Sequence, residues 1–69
     1  MDKKMAEYIM EQTKLIGEQL NELAHKIEDI KDKDEKSLMR RGVGELMGRL
    51  WGDLQWHVVQ KFPELDPDK

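Results

Sequence analysis

Apolar residues along the first half of the chain keep a heptad. Ala6, Thr13, Leu20 and Ile27 stand seven apart, as do Ile9, Ile16, Leu23 and Ile30. The two series interleave at spacings of three and four, like a and d positions. They predict an amphipathic helix over about residues 3–31, roughly 40 Å long at 1.5 Å per residue. Met5, Tyr8, Met10, Leu15 and Ala24 widen the stripe, which suits a bundle helix better than a two-stranded coiled coil. Gly17 falls at an e position, at some cost to the helix. Thr13 falls at an a position, where its hydroxyl can bond back to the preceding turn.

Lys31–Ser37 holds no apolar residue, and the heptad stops there. The expected turn is about 32–37, with Asp32, Asp34 or Ser37 available as N-cap of a second helix. No Gly or Pro enforces this turn. One continuous helix, or a break at Arg41-Gly42-Val43-Gly44, are the competing readings.

The second helix is expected over about 37–61, ended by Pro63, because the residue before a proline is pushed out of helical geometry. Its centre is a four-residue repeat, Gly-x-Leu-x, run three times from Gly44 to Leu54. With about 100° per residue, Met39, Val43, Leu46, Met47, Leu50, Leu54, His57 and Val58 form one apolar face. Gly44, Gly48 and Gly52 form a stripe beside it, with Trp51 on the border. A strand would segregate these residues less well. Each interior glycine costs a helix about 0.8–1 kcal/mol against alanine, so close approach of another helix along the stripe is the expected compensation. Phe62 and Leu65 are too apolar for a free tail and should fold back against the helix end, over Trp56. Residues 66–69 are expected to be disordered.

Together these elements predict an all-α fold, an antiparallel two-helix hairpin spanning 1–69 as a single small domain. Sixty-nine residues give a marginal core. With no cysteine to supply a disulfide, the remaining remedy is association. The predicted completion is a homodimeric four-helix bundle, with the glycine stripe or the Trp51 border at the contact.

Charge sharpens the pairing. Residues 1–37 carry net −3, residues 38–62 net +2 and residues 63–69 net −2. An acidic first half beside a basic second half favours antiparallel packing and argues against a nucleic-acid partner. Glu45, Arg49 and Asp53 exclude a lipid-spanning use of the glycine repeat. The opening residues show no secretory leader, and together with the cysteine-free composition this makes the cytoplasm the expected compartment.

Catalytic chemistry has no foothold. His25 sits at an outward f position, and His57, about 20° from Leu50, is read as a seam residue that could meet its own copy in a dimer. Two histidines without a neighbouring acidic cluster are too few for zinc. Met39 and Met47 follow core spacing and read as gap-filling side chains. The glycines lack the Lys-Ser/Thr of a phosphate loop, so no cofactor is expected. Trp56 projects away from the leucines and hints at an interaction surface. The expectation is a non-enzymatic helical interaction module or small adaptor that self-associates, with Gly44, Gly48, Gly52, Trp51, Trp56 and His57 at the interface. The alternative is a small nucleic-acid-binding regulator using Arg40, Arg41 and Arg49, whose binding would weaken steeply with salt.

Overall fold

A computed structural model describes residues 1–68. Helix α1 spans Lys3–Ile27. Its N-cap is Asp2, whose carboxylate accepts from the Met5 amide at 2.8 Å, while His25 and Lys26 lie in the last turn, where the helix dipole favours cations. Helix α2 spans Lys33–Arg49 and runs into a π turn over Leu50–Gln55, then α3 over Trp56–Lys61. Together they make one rod returning antiparallel to α1, so the fold is an all-α helical hairpin.

The hairpin turn lies earlier than the apolar pattern suggests. It occupies 28–32 instead of 32–37, and α2 begins four residues sooner than expected. Ile30 continues the heptad in sequence, but its amide donates to the Ile27 carbonyl three residues back, as does that of Asp29 to Lys26. These tightened bonds close the helix end, and Ile30 turns inward, half-buried, instead of extending α1. Of the three nominated caps, Asp32 is used. Its carboxylate accepts from the Asp34 and Glu35 amides at 2.9 and 3.0 Å. The competing break at 41–44 does not occur, since those residues lie inside α2.

The second rod is where simple periodicity fails. The Trp56 amide donates to the Trp51 carbonyl, five residues back. One residue too many in a turn takes back about 100° of rotation for everything that follows. That change of phase buries Val58 and Val59 against α1 and leaves His57 exposed. The expectation that His57 shares the leucine face is therefore overturned, because it assumed uninterrupted α geometry.

Phe62 breaks the helix with φ −131° and ψ 75°, and Pro63–Leu65 form a single 3-10 turn. The turn lies toward α1, where Leu65 and Pro67 share a shallow depression with Met10 and Lys14, and Lys3 pairs with Glu64 at 3.5 Å. Trp56 stays 46% exposed. Half-buried Asp66 accepts from the Asp68 amide at 2.9 Å, so the chain through Asp68 makes a further turn where disorder was expected. Lys69, the end of that expected tail, lies outside the described residues.

The interior is thin. Ala6, Ile27, Val43, Val58 and Val59 are its buried apolar members, and Thr13 is buried with them. The molecule measures 46 × 20 × 16 Å with a radius of gyration of 14.6 Å, against about 11 Å for a compact domain of this length.

Candidate functional site

Helix α1 meets the second rod through its smaller residues. Ala6, Thr13, Gly17 and Ala24 lie on the side that packs, all buried or half-buried. Small side chains let the backbones approach closely, and a Cβ placed on Gly17 would stand 3.6 Å from a Leu50 methyl. Inside the hairpin no close approach is made along the other glycines, where a Cβ on Gly44, Gly48 or Gly52 would meet nothing within 4 Å. Within the hairpin, that stripe faces away from α1.

A polar link crosses the same seam. The Gln55 amide nitrogen donates to the Thr13 hydroxyl at 2.8 Å, and the hydroxyl lies 2.7 Å from the Ile9 carbonyl, to which it donates. The Thr13 back-bond follows from its place in the heptad. The Gln55 link has no sequence signal, because Gln55 reaches the seam only through the rotation supplied by the π turn.

The heptad is used unevenly. Ala6, Thr13 and Ile27 of its a series, with Gly17 and Ala24, pack within the hairpin, whereas Ile16 and Leu23 of the d series are each 48% exposed. Across from them Leu46 is 55% and Leu54 47% exposed. Between the rods, Ile16, Leu20, Leu46, Leu50 and Leu54 line a shallow open groove of about 400 Å³. A second depression of about 630 Å³ at the turn end shares Leu23 and Leu46 with this face and adds Ile30 and Leu38. Large apolar side chains therefore form a continuous open strip along one side of the hairpin. A segregation of small from large residues within α1's stripe is the signal that could have located it.

The total exposed surface is 5614 Å². A folded monomer of 8.2 kDa is expected to expose about 4,500 Å². The excess is on the order of 1,100 Å², while one partner in a standard protein interface buries about 800 Å².

The two tryptophans lie away from this strip. Trp51 and Trp56 remain 39% and 46% exposed, and their rings stand 6.0 Å apart at 53°. His57 is exposed near them in sequence.

Two of the three arginines proposed for phosphate contact are held by carboxylates. Arg40 donates through Nε and Nη2 to both carboxylate oxygens of Glu28, the Nε bond being 2.6 Å. That hydrogen-bonded guanidinium lowers the Glu28 pKa, burial opposing it only partly, and the carboxylate in turn raises that of Arg40. Arg49 pairs with Asp53 at 3.1 Å, one turn along the same rod. Arg40 and Arg49 thus each have a carboxylate partner within the hairpin. Among the described residues, no group of three or more His, Cys, Asp or Glu is placed to hold a metal ion, and no helix is long and apolar enough to cross a membrane.

Comparison with protein-family models, curated proteins and solved structures finds no match for the chain.

Proposed function

We propose that this chain is a non-enzymatic helical interaction module that self-associates, two hairpins completing a four-helix bundle. The observation that carries the reading is the open apolar strip, together with a surface larger than a monomer of this mass normally exposes. A thin interior whose largest fully enclosed side chain is Val58 gives the hairpin a reason to find a second layer. The proposed place of action is the cytoplasm, on the cysteine-free composition. The nucleic-acid alternative loses support from the engagement of Arg40 and Arg49 with Glu28 and Asp53.

Sedimentation equilibrium over a range of concentrations tests the proposal. A mass of twice 8.2 kDa at micromolar concentration is the expected result. A chain that stays monomeric throughout would remove it.

A further inference from the structure

We infer that a second copy of this chain docks on the leucine strip formed by Ile16, Leu20, Leu23, Leu46, Leu50 and Leu54, and that the glycine stripe and the tryptophan pair stay outside the contact. The inference rests on the self-association reading and specifies the surface that performs it.

Two observations point to this face, and the whole-molecule area fits the occupant. The area comes first. The surface excess, about 1,100 Å², matches the roughly 800 Å² that one partner contributes to a standard interface, so a contact of that size brings the exposed surface near that of an ordinary folded chain.

The second is shape. On an uninterrupted α-helix, residues four apart drift by about 40° per step, and a ladder such as Leu46, Leu50, Leu54 would wind off the face. The π turn at Leu50–Gln55 cancels that drift at the point where it accumulates. The leucines remain in line beside Ile16 and Leu20, giving a straight strip that a second straight strip can cover along its length.

The third is the rim. Gln12 and Gln19 border the strip on the α1 side, and Arg49 and Asp53 border it on the other, paired with each other at 3.1 Å. The two charges lining the groove thus neutralise each other. The glutamine amides can both donate and accept, so at these positions a second copy meets groups that can pair with their own copies across a twofold axis. The glycines lie roughly 120° or more around the rod from Leu50 and face away from α1, so a contact centred on the leucine strip leaves them outside it.

The test uses the whole chain and three variants, Leu46→Ala, Leu54→Ala and Gly48→Leu, with dimer dissociation measured by sedimentation and helicity by circular dichroism. Alanine is a good helix former, and both leucines are half exposed, so the hairpin should persist. Each leucine variant removes a contact twice in a symmetric dimer and should raise the dissociation constant about tenfold or more, while Gly48→Leu leaves it unchanged. A dimer indifferent to both leucine variants, or one dissociated by Gly48→Leu, would overturn the leucine strip while leaving self-association standing. A wild-type chain that is monomeric would overturn self-association itself. If either alanine variant loses helicity, Leu46→Met supplies the reading: the dimer should persist with little change, and its dissociation would count against a contact that needs only apolar volume here.

Discussion

Trp51 and Trp56 stand five residues apart in sequence with ring centroids 6.0 Å apart and planes tilted by 53°. On an α-helix, five residues turn the chain through about 500°, which would leave the two indoles on different sides. They meet because the Trp56 amide bonds to the Trp51 carbonyl, a five-residue span that widens the turn. The tilted ring geometry lies in the range aromatic pairs favour. The same widened turn sets the phase of everything downstream, burying Val58 and Val59 while exposing His57.

If the π turn acts as one inserted residue, removing Gly52 should be tolerated. A deletion inside a helix ordinarily rotates all later side chains by about 100° out of register. Here that is the rotation the π turn already supplies, so Val58 and Val59 should stay against α1 as the turn relaxes to α geometry. Loss of a helical glycine contributes a further gain of up to about 1 kcal/mol. Thermal unfolding should show unchanged helicity and an equal or higher midpoint. Deleting Glu45, upstream of the π turn, should instead unfold the hairpin. Comparable melting losses in both variants would show that phase is set otherwise.

The uneven legibility of this chain has the same origin. The long first helix, the hairpin and its Asp32 cap follow from seven-residue periodicity and local hydrogen bonding, which act over a few residues. The end of α1 was obscured because Ile30 satisfies the heptad while packing inward across the turn, two environments a linear pattern cannot separate. His57 was misplaced by one helical step, an error that begins at the π turn. The Gly-x-Leu-x repeat fits neither turn alone, since four residues overshoot a 3.6-residue α turn and fall short of a widened one. Which half of the α1 stripe stays open depends on the volumes of Ala6, Thr13, Gly17 and Ala24, and hydrophobicity does not record volume.

The Thr13–Gln55 link should behave asymmetrically under mutation. Thr13 is only 4% exposed, and its hydroxyl both accepts from Gln55 and donates to the Ile9 carbonyl. Thr13→Val preserves shape but strands the Gln55 amide at a partly buried seam, and should cost about 1–2 kcal/mol in urea unfolding. Gln55→Met leaves the Thr13 hydroxyl bonded to Ile9 and should cost less than about 1 kcal/mol. The double variant should recover part of the summed loss. Strict additivity would mean that the bond contributes nothing across the hairpin.

Near the turn, Glu28 and Arg40 make stability depend on acid. The Arg40 hydrogen bond lowers the Glu28 carboxyl below its ordinary 4.5, so the folded chain holds the charged form more tightly than the unfolded chain does. That contribution is complete above the ordinary value and declines as pH falls through the lowered folded value. The melting midpoint of wild type should therefore drop more on acidification below about pH 4.5 than that of Arg40→Gln. In the variant, the Glu28 carboxyl titration followed by NMR should move upward. An unchanged titration would separate the contact from any electrostatic role.

Glycine substitutions distinguish the seam from the open stripe. A Cβ on Gly17 would sit 3.6 Å from Leu50, ordinary contact, whereas one on Gly48 meets nothing within 4 Å. Alanine should therefore be favourable at both positions, raising stability by about 0.8–1 kcal/mol through helix propensity. A larger residue separates them. Gly17→Leu must push its added carbons into the rod that carries Leu50 and should lose about 1–3 kcal/mol by overpacking, enough to lower the melting midpoint by several degrees in so small a domain. Gly48→Leu has room and should be as stable as Gly48→Ala within about 0.5 kcal/mol. Denaturant melts of the four variants decide the matter. Equal tolerance of leucine at both positions would mean that α1 and the second rod are not held as close at Gly17 as the geometry places them.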